Sequence, residues 1–294
     1  IIHQSRSFRY PFLFLMTEIS NFIPGGKRFR SGTYNSEFTF STELAILENE
    51  YERKGSSRLM KRIDFENGTV TGNILGAALP MLVAQILNLL YNIVDRIYIA
   101  RIPGCGTAAL GAVGLCFPLI VILSAFANLF GSGGAPLFSI YRGKKETEQA
   151  NRIMNTSFTM VCVSATFLMT IGLVFARPLL VLFGASADAL VYAYPYMMLY
   201  LIGTLPSMIA VGMNPFINAQ GYARTGMLTV AIGAICNIIL DPILIFGLLG
   251  FPRMGIMGAA AATVIGQIAA MLLLLYFNIT RNTCLLYTSD AADE

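Results

Sequence analysis

Two carboxylates lie inside long apolar runs of this chain, Asp95 in LLYNIVDRIYI and Asp241 in CNIILDPILIF. A charged side chain near the middle of a membrane helix costs about 2.5–3.5 kcal/mol on insertion scales, so such residues face a bundle interior or a watery cavity and mark ion or proton pathways. Each acid has amide neighbours at helical spacing. Gln85, Asn88, Asn92 and Asp95 follow one another by three, four and three residues, which lays them along one helical face. Asn237 and Asp241 are an i,i+4 pair, and Pro242 removes a backbone donor and frees a carbonyl one turn back. Asn214 and Asn218, in MNPFINAQG, repeat the same spacing. An asparagine can hydrogen-bond a neighbouring acid in either protonation state. Blander readings stay open beside these. Asp95 could be an interfacial end-of-helix residue near Arg96 and Arg101, and Asp241 a structural, hydrogen-bonded acid. The asparagines could be interhelical glue worth about 0.6–2 kcal/mol each.

Other chemistries are disfavoured by what the chain carries. The single histidine, His3, lies in the leader. The five cysteines, Cys105, Cys116, Cys162, Cys236 and Cys284, show no ligand spacing, and three of them sit in apolar runs, where Cys behaves as a small hydrophobe. A His/Cys metal site, a His-based triad and a histidine proton relay are therefore not expected. Any proton handled in the membrane must be handled by carboxylates. No metal, cofactor or nucleic-acid partner is expected.

The elements that must position these groups are membrane helices. Hydrophobic residues make up 55% and charged residues 12% of the chain, against about 25% charged in soluble domains, and the mean hydropathy is +0.65. A spanning helix needs roughly 20 mostly apolar residues. Six runs qualify, at about 74–99, 110–141, 153–175, 189–216, 227–249 and 259–277. Breaks fall at IPGCG, RGKKETEQANR, FGASAD, NAQGYARTG and GFPRMG. Pro80 interrupts the first span and Pro118 the second; a proline suits a helix that bends, although proline is common in membrane helices. The segment NLFGSGGAPLFS is read as close helix packing.

Lys and Arg accumulate in cytoplasmic loops. Lys61 and Arg62, Arg142, Lys144, Lys145 and Arg152, Arg224, and Arg281 fall on one side; Arg101, Arg177 and Arg253 fall on the other. The amino terminus is thus expected inside a bacterial cytoplasmic membrane, with a multi-pass chain that returns inside after six spans. Asp95 and Asp241 both come late in outward-running helices, which puts them at similar depths in the outer half of the bilayer.

Neither end enters the fold argument. Met60 opens MKRIDFENGTVTGNIL like a natural start, and residues 1–59 are expected to be translated upstream DNA or a disordered leader. Residues 284–294, CLLYTSDAADE, resemble an in-frame reading of a transposase sequencing adaptor, in which TGT CTC TTA TAC ACA TCT GAC GCT GCC GAC encodes all but the last residue. The credible segment is then 60–283, a truncated half of a longer protein; the alternative at this end is a short native polar tail.

A carboxylate in low dielectric resists ionisation, and a second acid nearby adds to that resistance. Such a pair could load a proton from the outer side and release it inside. Uptake would be coupled to release of a second solute if protonation changes the bend of the first span or its fit against the fifth.

Four stretches carry a family resemblance: ALPMLVAQILNLLYNIVDRIYIARI, LFGSGGAPLFSIYRGK, GMNPFINAQGYARTGMLTV and NIILDPILIFG. Together they resemble, in order, the amino-terminal half of the multidrug and toxic compound extrusion (MATE) family, with the bacterial members of Gram-positive lineages as the nearest in kind. The resemblance implies an all-α polytopic membrane protein, six helices forming one lobe of a twelve-helix transporter with a central cleft. It implies an antiporter and not an enzyme, exporting organic cations and amphipathic drugs against entering H⁺ or Na⁺. It matches Asp95 and Asp241 to the acidic ion site of the first lobe, Asn237 to a fifth-helix asparagine, Asn214 or Asn218 to a fourth-helix one, and Pro80 to the first-helix proline linked to bending. Two departures stand out. Arg96 follows Asp95 where many members have a small polar residue, and the carboxy-terminal lobe is missing. A flippase for lipid-linked sugars would share the architecture but should carry several cavity Lys or Arg. An intramembrane aspartic protease would place its acids in Tyr-Asp and Gly-x-Gly-Asp contexts, not Val94-Asp95 and Leu240-Asp241-Pro242.

Overall fold

Backbone polar groups in hydrocarbon must be satisfied within their own segment, so apolar runs of this length fold as helices. The computed structural model describes Ile63 and residues 69–281; the expectations for 1–59 and 284–294 lie outside the described residues. The elements are α1 (Val70–Ala100), α2 (Gly106–Gly143), α3 (Thr147–Leu182), α4 (Ala187–Ile202), α5 (Thr204–Ala219), α6 (Ala223–Phe246), a 3₁₀ turn (Leu248–Gly250) and α7 (Ile256–Arg281). Thr69 and Ser186 begin α1 and α4 by accepting the backbone N–H groups of Gly72 and Ala189, each at 3.3 Å. Gly247 ends α6 in the left-handed region at φ 72°, which a residue without Cβ adopts at no steric cost.

Helices overrun the apolar limits read from sequence. The third span, expected over 153–175, runs from Thr147 to Leu182, because helical hydrogen bonding continues through polar residues such as Glu148, Asn151 and Arg152 once the backbone has left the hydrocarbon. The fourth span is a correction. Expected as one run over 189–216, it is two helices, α4 and α5, bent by 57° at Gly203. Pro206 explains the break: it has no N–H for the carbonyl of Ile202 and its ring crowds that same group. Among the described residues five helices are long and apolar enough to cross a membrane alone, and the bent pair makes a sixth span.

The seam that matters for the acids is between α1 and α6, which pack extensively against each other, while α6 packs in turn against α7. These two helices run parallel. Near their carboxy-terminal ends Tyr98 and Phe246 meet edge to face at 6.2 Å. At the other end the Ile63 N–H, just ahead of α1, donates to the Gly221 carbonyl, just ahead of α6, at 3.1 Å. Elsewhere α2 and α5 cross closely: a Cβ on Gly131 would collide with the carbonyl of Gly212. The glycine-rich stretch of α2 is a packing surface there, as its sequence suggests.

Outward faces are apolar, with Val174 67%, Leu182 78% and Val191 67% exposed. Faces of that kind are solvated by lipid tails. The least covered span is α1, with 6% of its apolar window buried against 22–39% in the other single-helix spans.

Candidate functional site

Parallel packing brings the two acids together. Asp241, on α6, is fully buried at 0% exposure, and Asp95, on α1, is half-buried. The two carboxylates lie within electrostatic reach of each other. Tyr91 of α1 is within reach of both acids, and Tyr196 of α4 is within reach of Asp95. Among the described residues, neither Asp95 Oδ1 nor Asp241 Oδ1 has a hydrogen-bond partner, although both atoms are buried. Buried polar atoms are nearly always paired, so two orphaned carboxylate oxygens at one seam suit a site that takes up a proton or a small cation.

Asn237 holds the other oxygen of Asp241. Its amide admits two orientations, a choice made from the hydrogen-bond network. With nitrogen toward α7 it donates to Thr263 Oγ1 at 3.1 Å, but its oxygen then confronts the Asp241 carboxylate. Turned over, the amide oxygen accepts from the Thr263 hydroxyl at 3.1 Å and backbone N–H at 3.2 Å, and the nitrogen donates to Asp241 Oδ2 at 3.2 Å. The second orientation turns the amide nitrogen toward an acceptor and the amide oxygen toward donors. Thr263 therefore belongs to the site, a residue that sequence reasoning missed. Its hydroxyl also reaches the Ala259 carbonyl at 2.9 Å, the ordinary local bond of a helical threonine, and nothing in the run AATVIGQ distinguishes it. Only the α6–α7 packing does.

A cleft of about 350 Å³ opens beside this group, lined by residues of α1, α2, α5, α6 and α7. Gln85, Asn88 and Tyr91 of α1 line it, as do Asn128 and Ser132 of α2. Ser207, Asn214 and Asn218 come from α5, Thr229 and Asn237 from α6, and Thr263 and Gln267 from α7. No Lys, Arg, Asp or Glu is among the lining residues described. The wall is uncharged, with these amides and hydroxyls set among apolar residues such as Met81, Val211, Met227 and Val230.

The sequence-selected residues fall into three places. Asp95, Asp241 and Asn237 come together. Gln85 and Asn88 face the cleft, whereas Asn92 is exposed and donates to its own helix, to the Asn88 carbonyl at 2.7 Å. Asn214 and Asn218 are not brought to the acids. Asn214 donates to the Gly226 carbonyl at 2.9 Å and to Thr229 Oγ1 at 2.8 Å, and Asn218 donates to Asn214 Oδ1 at 3.1 Å. From Thr229 to Asp241 the helix climbs roughly 18 Å at its standard rise, so this second cluster sits at the opposite end of the cleft. Gly226 makes it possible, since a Cβ there would collide with Asn218 Oδ1. Pro80 lies within α1. Among the described residues no group of three His, Cys, Asp or Glu could hold a metal.

Comparison with known proteins agrees with this architecture. The MatE family model matches residues 80–243. The FAD transporter of Shewanella oneidensis is 30% identical over 212 residues, which is 72% of this chain and 46% of that protein. The multidrug export protein MepA of Staphylococcus haemolyticus is 28% identical over 220 residues, 74% of this chain and 47% of its own length. A crystal structure of MATE in the bent conformation aligns with a TM-score of 0.67 at 27% identity, covering 79% of this chain and 49% of that one. The chain thus spans about half the length of the relatives it matches. The family match across its acidic helices and the shared six-span fold together mean that this chain belongs to the MatE family of membrane transporters.

Proposed function

We propose that this chain forms one lobe of a secondary active exporter that exchanges entering H⁺ or Na⁺ for organic cations and amphipathic drugs. Asp95 and Asp241 carry the coupling ion, with Asn237 and Thr263 as its neutral ligands or hydrogen-bond partners. The cleft with Gln85, Asn88, Asn214 and Asn218 receives part of the substrate. The single observation that carries this reading is Asp241, wholly buried with an unpartnered oxygen beside a second acid. A merely structural acid would have its oxygens satisfied. Pro80 gives α1 the freedom to bend as the acids load and unload, and the amino terminus lies on the cytoplasmic side.

The neutral lining bears on substrate class. Phosphate and pyrophosphate groups are held by Arg or Lys forks, and none is among the described lining residues of this lobe's cleft. That favours cationic or uncharged amphipathic substrates over a dinucleotide of the kind named for the Shewanella relative, and over a lipid-linked pyrophosphate.

The test needs only the lobe. An organic cation is added to the purified chain in weakly buffered detergent, and released protons or displaced Na⁺ are measured. Asp95→Asn and Asp241→Asn should each abolish the release, and in a transporting protein Asp95→Asn should abolish pH-driven efflux while leaving it inserted. Unaltered ion release or efflux in these variants sinks the proposal.

A further inference from the structure

Arg96 is the cation nearest to the acidic seam in sequence, and it is placed to choose between two partners. Its guanidinium lies over the ring of Phe117, with Cζ 5.8 Å from the centroid. That is within the range of a cation–π contact. The Asp95 carboxylate, one residue back, feels the Arg96 charge, yet Asp95 Oδ1 remains without a hydrogen-bond partner. We propose that Arg96 is a positioning residue that moves between the Phe117 ring and the Asp95 carboxylate as the acid gains and loses its ion, so that occupancy of the site is read out at the α1–α2 seam. The proposal rests on the ion-carrying role of Asp95 given above.

The physical basis is a competition for one permanent charge. A guanidinium stays protonated at any relevant pH. A bare carboxylate in low dielectric attracts it far more strongly than a ring face does, and charge-assisted bonds are the strong ones. Once Asp95 is neutralised by a proton or a bound cation, that attraction falls away and the ring becomes the better partner. The local frame permits this as a side-chain movement. The end of α1 is pinned, with Ile99 at 0% exposure and the backbone of Ala100 packed against Gly106 so closely that a Cβ there would collide. Phe117 is 51% exposed on α2, so its ring can release the guanidinium without opening a core.

Other groups near Asp95 must be separated from this effect. They are Tyr91 on α1, Tyr196 on α4, itself within reach of Cys116 on α2, and Asp241 on α6. From α7 the site receives Thr263, which does not titrate in this range.

The chain contains no tryptophan, so Phe117→Trp introduces a single selective fluorophore at the proposed contact. Its emission is followed against pH in Na⁺-free detergent. The expected result is one reversible step, lost in Asp95→Asn, kept in Asp95→Glu, lost in Arg96→Gln and recovered in reduced form in Arg96→Lys. Asp241→Asn should displace the step without removing it. A step that survives Arg96→Gln but disappears in Asp95→Asn overturns the Arg96 role and leaves the acid reading standing. A step that survives Asp95→Asn overturns both. Absence of any step in Phe117→Trp, while Asp95→Asn still abolishes ion release, overturns the Arg96 role alone.

Discussion

Asn237→Ala tests the centre of the site. Asp241 is fully buried, its Oδ1 lacks a partner, and its Oδ2 has the Asn237 amide at 3.2 Å. Truncating Asn237 then leaves both carboxylate oxygens bare. A hydrogen bond to a charged group is worth about 1.5–3 kcal/mol net, and one between neutral groups about 0.5–1.5. The same truncation also loses the two bonds accepted from Thr263, each worth about 1 kcal/mol, and that part must be subtracted.

A double-mutant cycle does so. Asn237→Ala is made in the parent and in Asp241→Leu, which keeps the branching of the side chain without its polar atoms. Reversible unfolding in mixed micelles gives the four stabilities. The loss shared by both backgrounds is the pair of Thr263 bonds, and the difference is the Asn237–Asp241 coupling. A coupling of about 1.5–3 kcal/mol is expected where the carboxylate is ionised, falling toward about 1 where it is protonated. Repeating the cycle across pH therefore shows in which state the pair exists. A coupling near zero at every pH would refute the reasoning, because the amide nitrogen would then point to Thr263 and Asp241 would have no asparagine companion.

Three further outcomes follow from the same geometry. Gly226→Val should lower stability by about 1–3 kcal/mol through overpacking against Asn218 and Asn214, whereas Gly133→Ala, with open space around it, should be neutral or slightly stabilising; equal melting temperatures for Gly226→Val and the parent contradict the packing. Pro206→Ala should straighten the α4–α5 break, lengthening the distance between spin labels at Val191 and Val211, both exposed, and an unchanged distance assigns the bend to Gly203 and its neighbours instead. With the five native cysteines replaced by serine, a cysteine at Lys144 should react with an impermeant maleimide only from the cytoplasmic side, and one at Leu249, 83% exposed in the α6–α7 connection, only from outside; the reverse pattern inverts the topology.

Much of the site is legible because helical geometry is local. Spacing of four residues puts Asn237 and Asp241 on one face, and two helices that run parallel carry their late acids to similar levels. The α1–α6 packing adds adjacency, which depth alone does not imply. Thr263 was not legible, since its own helix satisfies its hydroxyl and only the neighbouring helix makes it a partner of Asn237. The grouping of Asn214 and Asn218 with the acids came from the family resemblance. The structure sets the two groups apart along α6, where Thr229, which bonds Asn214, lies roughly 18 Å from Asp241. The break at Gly203 was readable in principle from Pro206, but hydropathy averages across a proline and reports one continuous span.

The separation of the two polar clusters has a consequence for how exchange could work. If the asparagines of α5 surrounded the acids, substrate and ion would compete for the same atoms. Here the Asn214–Asn218–Thr229 group and the Asp95–Asn237–Asp241 group occupy opposite ends of α6, joined by a neutral wall. A cationic substrate bound near Asn214 would feel an acid at about that separation only as a fraction of a kcal/mol in a water-filled cleft, and as more in a drier one. In the exchanger proposed above, direct displacement of the ion would require a substrate that reaches Asn237, whereas a shorter substrate would have to act through α1, which lines the cleft with Gln85 and Asn88 and carries Asp95 toward its far end. Two organic cations that share a headgroup but differ in length separate these routes. If both release the ion equally and Pro80→Ala spares the longer one alone, the shorter one couples through the helix and the longer one by contact. If only the longer one releases it, the coupling is by contact, and α1 need not bend at all.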